Sequence, residues 1–251
     1  MPTAPLRIVR DGYPDEPGLD TAISRALLLR AEAGDVDETF RLNLPGRVVA
    51  FGRRDTITPN YPAAIEAARM RGYVAVERLA GGRAAVFHEG ALAFSWTVPD
   101  PSPRDGITAR FTELADLMVR AFTRLGVDAG VGELPGEYCA GTYSVHASGR
   151  IKVMGVGQRL IRKAAHVGGV VVVSGSAALR EILVPVYAAL ELDWDPRTAG
   201  ALEDVVPGVT LGQTADAILR ELAASREIFE SAVSPRTVAL ARELVGEHLA
   251  L

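Results

Sequence analysis

The feature that most limits how this chain can fold is the order of its hydrophobic periods: strand patterns come in groups, and helix patterns interrupt the groups instead of alternating singly with them. Asp20 to Ala33 reads as a helix, with Asp20 as N-cap, Ile23, Ala26, Leu27 and Arg30 marking its turns, and Gly34 ending it. Thr39 to Leu44 and Arg47 to Phe51 read as a hairpin joined by Pro45-Gly46. Pro62 to Arg71 reads as a short helix stopped by Gly72, and Tyr73 to Arg78 as a strand. Ala84 to Val98 carries two strands that turn at Glu89-Gly90.

Thr108 to Leu125 is the clearest helix, with Phe111, Leu114, Leu117, Met118, Ala121 and Leu125 at helical spacing and Gly126 as its stop. A glycine-rich loop without a period follows, Gly130 to Gly141. A second hairpin runs from Tyr143 to Arg159 around Ser148-Gly149, and a strand covers Ala164 to Val173. After Ser174 the pattern is helical over Ala177–Leu190, Thr214–Ala224 and Pro235–Leu249, the last with Ser234 as cap and Pro235 at its first position, and no strand signal is found there. Grouped hairpins between helices predict an α+β fold with mixed, mostly antiparallel sheets flanked by helices, in preference to a doubly wound parallel sheet. The expected organisation is a catalytic domain over 1–195 and a helical C-terminal extension over 196–251 packed on it.

The 251 residues, 48% hydrophobic, suffice for one sizeable core. Met1 to Gly12 lacks an apolar core of signal-peptide length, and the most continuous apolar run, Val170 to Val173, is far too short to span a bilayer, so a soluble cytoplasmic protein without a membrane partner is expected. Net charge is −4 with scattered Lys and Arg, which argues against nucleic acid as a partner. The one cysteine excludes an internal disulfide and a zinc site built mainly on thiolates, and no metal is expected.

Two segments are candidates for chemistry. In ERLAGGRAAVFHEG, Arg78 closes a strand and Gly81-Gly82 permits close approach of a ligand, although paired glycines also make plain turns. His88 has no metal-like spacing to the other histidines; it reads as an acid or base, or as a histidine satisfied within the fold. In GEYCAGTYSVHASGRIKVMGVGQR, Cys139 lies in a loop between Gly136 and Gly141, off any apolar period. A lone cysteine is commonly a small buried hydrophobe, but a polar loop followed by a lysine is also where a thiolate is stabilised. Lys152 stands among Ile151, Val153, Met154 and Val156; with a two-residue turn at Ser148-Gly149 it pairs opposite Val145, where a buried ammonium needs a partner such as a ligand carbonyl or carboxylate. An edge-strand lysine extending to water accounts for it equally.

Three familiar motifs are absent. Gly130-Val131-Gly132 and Gly155-Val156-Gly157 begin like dinucleotide fingerprints, but Pro135 and Leu160 occupy the third glycine position. Neither a Walker phosphate loop nor GxSxG occurs.

GRRD at 52–55, RLAGGRAAVFHEGALAFSW at 78–96, GEYCAGTYSV at 136–145 and IKVMGVGQR at 151–159 together resemble the lipoate-protein ligase and octanoyltransferase superfamily, in order, over roughly residues 20 to 190. The block around Cys139 and Lys152 is most similar to the cysteine-dependent amidotransferases that move octanoyl from the glycine-cleavage H protein to other lipoyl domains. The resemblance implies a biotin/lipoate protein ligase-like domain. It also implies that an octanoyl or lipoyl group passes through a Cys139 thioester to a lysine of a lipoyl carrier domain, the H protein or a 2-oxoacid dehydrogenase E2 subunit. Lys152 would hydrogen-bond the acyl carbonyl oxygen, Arg78, Gly81 and Gly82 would cover the acyl chain, and Gly155, Val156 and Gln158 would line its tunnel from the other side. Arg83 stands where ligases of the superfamily commonly have a third glycine, whereas the His88 position is closer to ligases. A transferase needs no cofactor; the ligase alternative needs ATP and Mg, with Cys139 a bystander. A non-catalytic binder of lipoate or lipoyl domains is a third class.

Overall fold

A computed structural model describes residues 5–16 and 18–250. Its elements are β1 (Leu6–Val9), α1 (Leu19–Ala33), β2 (Thr39–Asn43), β3 (Val48–Phe51), α2 (Arg53–Thr56), α3 (Tyr61–Arg69), β4 (Val74–Glu77), β5 (Ala85–Phe87), β6 (Ala91–Pro99), α4 (Ile107–Arg124), β7 (Ala129–Val131), β8 (Val145–Ala147), β9 (Ile151–Ile161), β10 (Ala164–Val172), α5 (Ser176–Ala189), α6 (Leu211–Ser225), β11 (Ile228–Glu230) and α7 (Pro235–Leu244). The expectation for the first twelve residues extends onto residues 1–4, which lie outside the described residues. Among the described residues no helix is long and apolar enough to cross a membrane.

A large sheet has the order β11-β1-β2-β6-β10-β9-β8-β7, and a small one the order β4-β3-β5. In the large sheet β11-β1 and β1-β2 are parallel and the pairs from β2-β6 onward are antiparallel. The sheets are thus mixed and mostly antiparallel, as expected.

Two expected hairpins are instead divided between the sheets. β2 is bonded by β1 on one side and β6 on the other, and β6 by β2 and β10. Neither has a free edge for its neighbour in sequence, so β3 and β5 pair with each other in the small sheet. Gly46 makes the first crossing possible, since a Cβ there would collide with the Pro14 carbonyl.

The alternation of β2, β6 and β10 sorts their side chains cleanly. Phe40, Leu42, Phe94, Trp96, Val167 and Val171 point to the core shared with α4 and α6. On the opposite face Arg41, Ser95 and Gly168 lie in one row, because Arg41 pairs with Ser95 and Ser95 with Gly168. Helix α1 crosses that face, and α7 packs on α1.

The reading of residues after Ser174 as free of strands is corrected: β11 pairs with β1, Leu6 opposite Ile228. Segment 196–251 therefore supplies an edge strand of the large sheet as well as α6 and α7, with Ser234 accepting from the Thr237 N–H at the start of α7.

Candidate active site

The loop between β7 and β8 is organised by a carboxylate. Glu137 Oε2 accepts from the Leu134 N–H at 3.0 Å, while Oε1 accepts from the Gly141 N–H at 3.2 Å, Ser144 Oγ at 2.6 Å and Lys152 Nζ at 3.0 Å. Tyr138 then packs edge-on against Tyr187 and Trp194, anchoring the loop in the smaller core. Cys139 follows in the left-handed region at φ 43°, a conformation that costs a non-glycine residue energy, with its thiol half-buried.

The thiol meets the loop after β4. Its Sγ accepts from the Arg83 N–H at 3.2 Å and from Arg78 Nη2 at 3.3 Å. Arg78 is held in turn by donating to the Arg83 carbonyl at 2.7 Å. Gly82, at φ 98°, permits the approach: a Cβ there would stand 2.9 Å from Sγ. The GRRD segment supports the same loop from below, with buried Asp55 accepting from the Gly52 N–H at 3.0 Å and from Arg83 Nη1 at 3.2 Å. Burial pushes the thiol pKa up, but the charges of Arg78 and Lys152 and the two hydrogen bonds outweigh it, leaving Cys139 below the ordinary thiol value.

Lys152 is buried and its three N–H donors are all engaged, by Glu137 Oε1 at 3.0 Å, the Tyr138 carbonyl at 3.0 Å and the Cys139 carbonyl at 2.8 Å. The expected pairing with Val145 is corrected. Lys152 pairs with His146 and Met154 with Val145, so Val153 is an extra residue, a β-bulge. The loop at Ser148 is three residues long, since Ala147 pairs with Ile151. The bulge reverses the alternation and puts Lys152 on the face of Gly155, where a Cβ would lie 3.3 Å from Lys152 Cε.

Of the other expected residues, Gly81 places its carbonyl over β9, where a Cβ on Gly157 would meet it at 3.4 Å and Ala80 at 2.9 Å. Val156 packs in the core on the opposite side of the sheet. Gln158 bonds to α4, accepting from Arg110 Nε at 2.8 Å and donating to the Ile107 carbonyl at 3.3 Å. His88 is buried at the β5–β6 turn, where its Nδ1 accepts from the Gly90 N–H at 3.0 Å, and it makes no hydrogen bond to Cys139, Lys152 or Arg78. Glu137, Asp55 and Gly157 escaped the sequence reading. For Glu137 the signal was present: an acidic residue two places before the cysteine, within reach of a strand lysine that needs a partner.

Beside Arg78 a crevice enclosing about 800 Å³, solvent at its mouth included, runs between the Leu79-Ala80 segment and the face of the large sheet that carries Arg41, Ser95 and Gly168. Val48, Ala50, Leu79 and Phe87 form its apolar wall. Among the described residues no cluster of side chains has metal-binding geometry.

The model of the lipoyl protein ligase A/B catalytic domain family matches residues 16–223. The octanoyl-GcvH:protein N-octanoyltransferase of Geobacillus kaustophilus is 32% identical over 188 residues, 75% of this chain and 66% of that protein. The lipoyl-GcvH:protein N-lipoyltransferase of Listeria monocytogenes is 24% identical over 170 residues, 64% of this chain and 61% of that protein. The chain thus spans somewhat less than two thirds of the curated relatives it matches. A Thermoplasma acidophilum structure with bound lipoic acid superposes with a TM-score of 0.76 at 20% identity, over 97% of this chain and 95% of that one.

Proposed function

The chain belongs to the lipoyl protein ligase A/B catalytic domain family, and from that premise we propose that it transfers an octanoyl or lipoyl group through a Cys139 thioester to a lysine of a lipoyl carrier domain. The observation that carries this reading is the sulfur itself, held by Arg83 N–H and Arg78 and with its pKa lowered from the ordinary thiol value, which favours the thiolate without a histidine base.

In the first step the thiolate attacks the acyl carbonyl carbon of a donor. The carbon–sulfur bond forms, the bond to the donor's nitrogen or sulfur breaks, and that leaving group takes a proton. In the second, the neutral ε-amine of the acceptor lysine attacks the thioester, expels the Cys139 thiolate and loses a proton to water. Neither step consumes ATP or uses a metal.

Lys152 contributes its charge beside the sulfur and fixes the Tyr138 and Cys139 carbonyls. It reaches the acyl carbonyl oxygen by giving up one of them. The Arg83 N–H is freed from the sulfur as the carbon–sulfur bond forms, and it becomes a second donor for the oxyanion. Gly82 lets Arg78 and the thiol meet over the substrate carbonyl, and the crevice takes the acyl chain. The H protein, which the names of the relatives above print as the acyl donor, and E2 lipoyl domains are the proposed carriers.

The test mixes an octanoylated carrier with an acceptor lipoyl domain, with and without ATP, and follows both by intact mass. Octanoyl movement without ATP that is abolished by Cys139→Ala supports the proposal. Movement that requires ATP and survives Cys139→Ala overturns it in favour of ligation.

A further inference from the structure

The crevice is apolar along one wall but polar at one end. On the sheet face that floors it, paired residues form two successive rows: Arg41, Ser95, Gly168 and Gly157, then Thr39, Thr97, His166 and Arg159. Ser24 of α1 lies above, its Oγ 3.4 Å from that of Ser95. Ser24, Ser95 and His166 are each more than nine-tenths buried and line the crevice.

Of the buried histidines with an unpaired ring nitrogen among the described residues, His88, His166 and His248, His166 is the one that lines the crevice. Neither ring nitrogen makes a hydrogen bond within the described residues; Nδ1 is completely buried without a partner, and Nε2 lies over Gly168 on the crevice floor. A buried imidazole left unpaired is costly, and such groups are usually explained by a ligand or by function. Burial, reinforced by the Arg41 charge, holds its pKa down to about 4, so the ring is neutral, with one donor and one acceptor to offer. Arg41 is largely spent on the fold: four of its five N–H groups donate, to the Asp11 carbonyl at 2.7 and 3.2 Å, to the Asp20 carbonyl at 3.1 Å, and to the Asp20 carboxylate.

The geometry points to a subsite, within the acyl-transfer pocket proposed above, in which Ser24, Ser95 and His166 receive the neutral, sulfur-bearing end of a lipoyl or dihydrolipoyl chain in preference to the bare methyl end of octanoyl. The spacing agrees. Gly155 lies against Lys152, and the rows of Gly157 and Arg159 follow at about 7 and 13 Å along β9, at about 3.3 Å per residue. An extended eight-carbon chain covers roughly 9 Å at ordinary bond lengths. With its carbonyl by Lys152 it therefore ends between Gly168 and His166, where a sulfur meets the paired Ser24 and Ser95 hydroxyls and the imidazole, and a methyl leaves the imidazole unpaired. Each hydrogen bond satisfied only by sulfur favours that chain by roughly fivefold, for about 1 kcal/mol.

Two measurements test the subsite separately from the transfer reaction. In the first, the full chain is mixed with equal amounts of lipoylated and octanoylated carrier, and the adducts on Cys139 are compared by intact mass. Lipoyl adduct exceeding octanoyl adduct by about fivefold or more is expected, with the ratio falling toward one in both His166→Leu and Ser95→Ala. In the second, calorimetry compares lipoic acid with octanoic acid, expecting tighter binding of lipoic acid that both variants diminish. Equal or inverted preference in both measurements, or a preference unmoved by either variant, overturns the subsite. A lipoic acid preference sensitive to both variants, with no adduct from either carrier, upholds the subsite and overturns the transfer reading instead.

Discussion

Arg78 and Cys139 form one anion-stabilising corner: Arg78 Nη2 stands 3.3 Å from the sulfur and also grips the carbonyl of Arg83, whose N–H donates to the same sulfur at 3.2 Å. Arg78→Gln removes the charge and leaves a side chain of similar reach. Because positive charge favours thiolate over thiol, its loss raises the pKa of Cys139. The pH midpoint of alkylation by iodoacetamide should lie below the free-thiol value of about 8.5 in the wild type and move upward by about one unit in the variant. An unmoved or lowered midpoint contradicts the assignment.

Lys152 and Glu137 form a buried pair, so removing one member leaves an uncompensated charge. Glu137→Gln or Lys152→Met alone should cost about 3–5 kcal/mol in urea denaturation, and the double variant less than the sum of the two. Additive losses would place the two side chains in independent roles.

Gly81 and Gly82 look alike in sequence but differ in the structure. A Cβ on Gly82 collides with Arg78 and Cys139 and is strained by the positive φ, whereas nothing lies within 4 Å of one on Gly81. Gly82→Ala should slow Cys139 acylation by an order of magnitude or more, roughly the effect of misplacing a reacting group by about 1 Å. Gly81→Ala should slow it by much less. Equal effects in rapid-quench acylation assays would show that the close approach at Gly82 is not what positions the thiol.

His166 is neutral and buried, with a pKa near 4 against about 6.5 in an unfolded chain. Since the unfolded state binds the proton more readily, stability is greatest above pH 6.5 and falls as pH drops toward 4. The loss attributable to this group is on the order of 3 kcal/mol. The urea midpoint should fall less steeply over that interval in His166→Leu than in wild type; parallel profiles would show that His166 does not titrate in this way.

The long helices and the groups of strands were readable because α1, α4, α5 and α6 each carry several turns of apolar period, and α1, α4 and α6 a cap or a glycine stop as well. β1, β11 and β7 were not, being four, three and three residues long, too short to show an alternation; β7 takes Gly130 and Val131 out of the expected loop and pairs them with β8. Strand pairing was misread where adjacent strands part company, because β2 and β6 acquire partners from distant segments that a local turn signal does not reveal. Loop context drew notice to Cys139 and Gly82, but the roles expected of them and of Arg78 came with the family resemblance. The partners of Lys152 could not, because a single bulged residue, Val153, reverses which face the lysine takes, and only the folded loop brings Glu137 beneath it.

The transfer proposed above passes through a covalent acyl group on Cys139, which can be trapped. The chain is incubated with octanoylated carrier without ATP or an acceptor, quenched in acid, digested and examined by peptide mass. An octanoyl mass increment is expected on the peptide containing Cys139, removed by neutral hydroxylamine and absent in Cys139→Ser. An unmodified Cys139 peptide under conditions in which the same preparation passes octanoyl to an acceptor lipoyl domain would contradict it.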